Sequence, residues 1–191
     1  MTNLANVLSG FRLACAPLFI YLSWTNRPGP FLLILALSLL SDSVDGWVAR
    51  RSNQASLLGA KLDSWGDFST YLTVPPCAWW LWPDLLRQEA PFVVVFVVSY
   101  LLPVAVGFLK YGRLTSYHTW GAKLSAVFVG GSAFLMLAGG PVWPFEWVIP
   151  ILALAALEEI ALSLLLPEWH ANVPSLWHGL RLVRGPDLPS H

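Results

Sequence analysis

Residues 41–68, SDSVDGWVARRSNQASLLGAKLDSWGDF, decide how this chain is read. They set four aspartates, Asp42, Asp45, Asp63 and Asp67, inside a sequence otherwise suited to hydrocarbon. Of the 191 residues, 56% are hydrophobic and 12% charged, about half the charge a water-soluble domain carries. Apolar runs recur at lengths close to the ~20 residues that cross a bilayer. The composition therefore predicts an all-α integral membrane protein. Eleven basic and eleven acidic residues cancel, so no nucleic-acid partner is expected.

Working outward from the acidic stretch, the pattern predicts a bundle of six transmembrane helices. They cover about residues 4–24, 30–50, 55–82, 91–109, 119–138 and 147–166, with ends uncertain by ~2–4 residues. TNRPGP (25–30) and GGPVWP (139–144) read as turns, and WPDLLRQEAP (82–91) as a polar loop. Arg50, Arg51, Lys110, Arg113, Lys123, Arg181 and Arg184 collect on one side, while the opposite loops hold only Arg27 and Arg87. By the positive-inside rule that side is cytoplasmic, and both termini lie on it. Trp24, Trp79, Trp80, Trp82, Trp143 and Trp147 gather toward the other interface. Residues 1–170 form the expected six-helix domain and 171–191 a cytoplasmic tail. In that tail SLWHGLRLVR reads either as a disordered segment or as an interfacial helix, with Leu176, Trp177, Leu180 and Val183 toward the bilayer and Arg181 and Arg184 toward headgroups. Cys15 and Cys77, isolated in apolar spans, read as packing residues.

Asp42 and Asp45 are three residues apart, Asp63 and Asp67 four apart. On helices each spacing puts the pair on one face. The two spans are consecutive, so the two acidic faces can meet at the cytoplasmic edge. Gly46, Ala49 and Gly59 continue the same faces with small side chains, leaving room for close packing or for a ligand. A single aspartate at a helix end is ordinarily a cap, and Asp42 after Ser41 invites that reading. Four on two facing stripes ask for more. Like charges this close raise one another's pKa unless a cation joins them. Clustered carboxylate oxygens suit hard divalent ions such as magnesium, manganese or calcium. Two such ions would clamp a pyrophosphate.

The run Asp42-x2-Asp45-Gly46-x2-Ala49-Arg50-x8-Gly59-x3-Asp63-x3-Asp67 resembles the signature of the CDP-alcohol phosphotransferases, eight positions over twenty-six residues. Asn6, Ser9 and Arg12 resemble that family's Asn-x2-Thr-x2-Arg opening, with serine in place of threonine and Ala5 where proline is common. The resemblance implies a reaction in which a CDP-linked donor, usually CDP-diacylglycerol, loses CMP to an attacking hydroxyl. It implies that Asp42, Asp45 and Asp63 hold two Mg2+ or Mn2+ ions, with Asp67 contributing and acting as general base. Asn6, Ser9, Asp42, Gly46, Ala49, Arg50 and Gly59 would then bind the cytidine diphosphate. A lipid donor, a small water-soluble acceptor and a homodimer are the implied partners. The active site would face the cytoplasm.

The acceptor is less sharply drawn. Glycerol 3-phosphate, an inositol phosphate and serine are the expected classes. Arg51, Lys110, Arg113 and Lys123 are cations that could meet an acceptor phosphate, although the positive-inside rule alone would put basic residues there. Arg12 resembles the phosphorylated-acceptor branches, whereas Leu62-Asp63-Ser64-x2-Asp67-x3-Tyr71-x3-Pro75 resembles the serine branch. Glu158 and Glu159 read as members of a structural ion pair, with Lys61 or Lys123 as partner. A soluble CDP-alcohol donor with a lipid acceptor is the alternative within the family. A cation-coupled transporter is the alternative outside it, but that predicts midplane acids and paired interrupted helices. No internal repeat is visible.

Overall fold

The computed structural model describes residues 4–52, 57–112, 119–167, 173 and 175–184, with backbone alone at 4–9, 43–52, 57–64 and 182–184. Among these residues every regular element is a helix: α1 (Leu4–Trp24), α2 (Pro28–Ser52), α3 (Leu57–Leu81), α4 (Pro83–Gln88), α5 (Ala90–Tyr111), α6 (Trp120–Leu137), α7 (Trp143–Leu165) and α8 (Leu176–Arg184). Three of them, α5, α6 and α7, are long and apolar enough to cross a membrane. Shorter apolar stretches, Gly10–Trp24 and Pro28–Asp42, occupy α1 and α2. The α2 stretch ends on the first aspartate of the acidic run. Leu33, Leu40, Leu72, Leu154 and Leu164 are each more than half exposed. Helix flanks this apolar match a hydrocarbon surround rather than water.

The chain forms two compact units, Met1–Ala90 with Ala133–Gly140, and Pro91–Ser132 with Pro141–His191. In the first, α1 packs against both α2 and α3. The turn between α1 and α2 explains why the pairing is tight. Asn26 takes a left-handed φ of 51°, a conformation asparagine tolerates better than most residues. The amides of Asn26 and Arg27 then return to the carbonyls of Ser23 and Leu22 at 3.0 and 2.9 Å, closing α1. Pro28 starts α2 where its missing N–H costs nothing. Phe19 and Phe31, both fully buried, meet across this turn with centroids 5.0 Å apart, and Phe31 meets Trp82 at 5.7 Å. The end of α1, the start of α2 and the end of α3 therefore share one end of the unit. WPDLLRQEAP, expected as a loop, contains the short helix α4, started by Pro83 and closed where Glu89 N reaches Leu85 O at 3.1 Å.

In the second unit, Phe96 of α5 and Phe145 of α7 form an edge contact at 6.3 Å. Gly121 in the first turn of α6 faces α7 closely: a Cβ there would lie 3.5 Å from Ala155 Cβ and 3.7 Å from Glu158 Oε2. The segment after α7 folds back as α8, which packs on the last turns of α7 through Leu162, Leu166, Val173 and Leu176.

Candidate functional site

Arg12 stands nine residues into α1 and is almost completely buried. Its Nη1 donates both to Asp42 Oδ1 on α2 and to Asp67 Oδ1 on α3. Three helices thus contribute one charged group each to one cluster. The carboxylates differ from the guanidinium in access: Arg12 is 2% exposed, Asp42 47% and Asp67 32%. A cation behind, and two oxygen-rich groups in front that solvent can reach, is the resulting arrangement.

The depth of the cluster follows from helix rise. Arg12 to Trp24, Asp42 back to Pro28, and Asp67 to Leu81 each span about 18–21 Å at 1.5 Å per residue. All three groups therefore lie at a similar distance from the end that carries the Phe19–Phe31–Trp82 contact. Burying an arginine is tolerable there because two carboxylates pair with its guanidinium. The same pairing answers the need for a cation among the aspartates.

Facing α2 and α3 stripes are the sequence expectation for how the acids meet. Among the described residues Asp42 and Asp67 are joined through Arg12 of α1, which packs on both helices. Asp45, Gly46, Ala49, Arg50 and Arg51 lie on α2, Gly59 and Asp63 on α3, and Asn6 and Ser9 on α1. Their side chains are outside the described residues, and Arg113 is outside them altogether. Lys123 is an exposed residue of α6, in the second unit.

Hard divalent ions fit the donor chemistry that is described, since Asp42 and Asp67 offer carboxylate oxygens only, at a reachable face. With the helix positions of Asp45 and Asp63, each about one turn from one of these groups, the oxygen supply suits magnesium or manganese better than zinc or copper.

Two basic and acidic candidates prove to have structural partners. Lys110 Nζ donates to the carbonyls of Ser163, Leu164 and Leu166 at 2.8, 3.0 and 2.8 Å. Tyr111 Oη adds bonds to Ser163 O and Leu166 O at 3.0 and 2.8 Å. These carbonyls are the ones a helix C-terminus leaves without partners, and a cation there also meets the negative end of the helix dipole. Lys110 is thus engaged at the end of α7 rather than offered to an acceptor. Glu158 Oε1 accepts the backbone N–H of Leu176 at 2.9 Å, capping α8, while the side chain of Lys61, one of its expected partners, is outside the described residues. No ion pair joins Glu158 or Glu159 to a cation among the described residues.

Arg12 is the residue that sequence reasoning undervalued. It served there as part of the family's opening motif and as a cue to the acceptor, not as a partner of the aspartates. The available signal was physical: an arginine between Phe11 and Leu13, inside an apolar helix, needs a buried anion. The two capping roles left no such trace, because a backbone carbonyl or amide has no sequence signature.

The sequence model of the CDP-alcohol phosphatidyltransferase family matches residues 2–163. The chain is 35% identical over 154 residues to a cardiolipin synthase (CMP-forming) of Streptomyces coelicolor, covering 66% of this chain and 72% of that protein. It is 39% identical over 93 residues to a putative cardiolipin synthase of Mycobacterium tuberculosis, 44% of each chain. A CDP-diacylglycerol--glycerol-3-phosphate 3-phosphatidyltransferase of Wigglesworthia glossinidia brevipalpis is 38% identical over 68 residues, 34% of this chain and 37% of the other. No solved structure matches this chain.

Proposed function

This chain belongs to the CDP-alcohol phosphatidyltransferase family, and we propose that it transfers a phosphatidyl group from CDP-diacylglycerol to a glycerol-phosphate acceptor, releasing CMP. The observation that carries the reading is the cluster of Asp42 and Asp67 on Arg12. The first and last aspartates of the signature, twenty-five positions apart, share one buried cation and keep reachable oxygens.

In this reading Asp42, Asp45 and Asp63 hold two Mg2+ or Mn2+ ions, with Asp67 at their edge. Bound there, the ions would neutralise the pyrophosphate of the donor as charge moves onto the departing CMP. Asp67 takes the proton of the attacking hydroxyl. Arg12, hydrogen-bonded to the same carboxylate, holds it in place for that role. The hydroxyl oxygen forms the new bond to the phosphorus next to the lipid, the bond to the CMP oxygen breaks, and the leaving phosphate carries the electron pair away. Gly46, Ala49 and Gly59 leave room for the nucleotide, with Asn6, Ser9 and Arg50 at its polar groups. The diacylglycerol tails remain in hydrocarbon.

Helices α1, α2, α3, α5, α6 and α7 have 18 to 25 residues. At 1.5 Å per residue each reaches about 27–37 Å, enough to cross. Six spans with cytoplasmic termini and a cytoplasmic active site are our proposal for the topology, supported by that length and by the side on which the basic residues fall.

The relatives' names favour a glycerol-phosphate acceptor over serine or an inositol phosphate. The Wigglesworthia protein is named for glycerol 3-phosphate. The Streptomyces protein is named for making cardiolipin, which favours a second reading in which the glycerol phosphate is lipid-borne, as in phosphatidylglycerol. Purified protein in detergent with CDP-diacylglycerol and Mn2+ should release CMP with glycerol 3-phosphate or with phosphatidylglycerol. Release with serine alone would reject the acceptor assignment, and no release with any acceptor would reject the reaction.

A further inference from the structure

Helix α8 presents two different faces. One is pinned to α7. Glu158 caps its first amide, and Ser175 Oγ lies 2.9 Å from His178 Nδ1 in the first turn. Gly179 is buried so closely that a Cβ would come within 2.4 Å of Leu162 Cδ2, with Leu165 Cδ2 at 3.8 Å. Leu176 joins the buried cluster of Leu162, Leu166 and Val173. The other face is open. Trp177 is 61% exposed, His178 and Arg181 are exposed, and the Arg181 guanidinium lies over the Trp177 ring at 5.3 Å.

The position of this open face is set by α7, one of the helices able to cross a membrane. Glu158, Leu162 and Leu165 belong to its last two turns, so α8 lies at an end of a span whichever way that span is oriented. Headgroups are what such a level contains. A tryptophan there has its apolar ring and its N–H both accommodated. A guanidinium stacked on the ring keeps its hydrogen-bonding edge outward, in the planar fork that matches phosphate oxygens. No acidic side chain stands on the described part of the open face to offset Arg181.

We infer that the Trp177–Arg181 face of α8 is a docking surface for anionic phospholipid headgroups of the bilayer that holds α7. The expected orientation from sequence, with Leu176, Trp177, Leu180 and Val183 toward the bilayer and Arg181 toward headgroups, is thereby revised at Leu176, which belongs to the protein. The inference is independent of the proposed reaction and of its acceptor.

The full chain in nanodiscs tests it by hydrogen exchange of the α8 amides. Replacing neutral phosphatidylcholine by a mixture with phosphatidylglycerol should slow exchange about fivefold, the factor one surface arginine is worth. High salt should erase the difference. Arg181→Gln and Arg181→Glu should remove it at low salt, Arg181→Glu more completely, and Trp177→Ala should reduce it. Equal exchange of the unaltered chain in the two lipids overturns the inference, and needs no variant to fold. So does slowing in the anionic lipid that persists in Arg181→Glu. Gly179→Leu, which breaks the α7 contact, should speed exchange in both lipids; unchanged exchange there would overturn the docked placement.

Discussion

The Arg12 cluster of the first unit and the α7–α8 junction of the second use the same kinds of residues for opposite ends. In the first, a buried guanidinium meets two carboxylates, side chain to side chain, and the acids remain reachable. In the second, a lysine and a tyrosine close the carbonyl end of α7, and a glutamate closes the amide end of α8. There the charged group is consumed by backbone that hydrocarbon cannot satisfy. A charge paired with backbone stabilises a helix end and does little else. A charge paired with other charges keeps oxygens available for substrate or metal. The partner, more than the residue type, separates chemistry from scaffolding.

Substitutions should separate the two regions in order of effect. Asp67→Asn keeps the size of the side chain but removes the base, so turnover should fall by about 10²–10⁴-fold while CMP binding persists. Near-normal turnover, followed as CMP release, would place Asp67 with the scaffold. Arg12→Gln leaves two carboxylates without their cation. Loss of about 3 kcal/mol is expected in urea titration, toward the low end of the range for broken buried pairs because both acids are part-hydrated. Arg12→Lys should recover part of the stability, and added Mn2+ should raise the melting temperature of Arg12→Gln more than that of the unaltered protein. An equal rise in both would show that Arg12 and the metal do not share these carboxylates.

Effects at the junction should be smaller and confined to stability. Lys110→Met removes three bonds to the end of α7 and should cost about 1–2 kcal/mol, with CMP release changed less than twofold at saturating substrate. A loss as large as that of Asp67→Asn would return Lys110 to the acceptor site. Glu158→Gln retains an acceptor for Leu176 N–H but loses the charge at the α8 N-terminus, a change of about 0.5 kcal/mol. Hydrogen exchange at Leu176 and Trp177 should quicken slightly and nothing else should move.

Much of the first region was legible before the fold. Asp42 and Asp67 stood out because acids in apolar sequence are expensive, and their spacing set each on a helix face. What could not be read was that α1 runs between them as a partner to both. That is a packing outcome, set by which helix faces interdigitate. Legibility at the second region was lower. Lys110 looked like a substrate cation because its real partners are carbonyls, and every residue has one of those. The loop at WPDLLRQEAP concealed α4 for a related reason: six residues with proline first are too few for a periodicity to register, yet proline at a helix start is favourable.

By itself the sequence determined the helical class, the apolar runs able to cross a membrane, the turns at TNRPGP and GGPVWP, and the family through the Asp42–Asp67 signature. Those follow from local chemistry: hydrophobic length, residues that tolerate special dihedrals, and charges that cannot lie in hydrocarbon without purpose. Only the tertiary structure decided which charges meet. It joined Asp42 and Asp67 through Arg12, and gave Lys110 to α7 and Glu158 to α8. A charged side chain in an apolar surround takes the partner its helix neighbours bring within reach, and that choice exists only once the helices have packed.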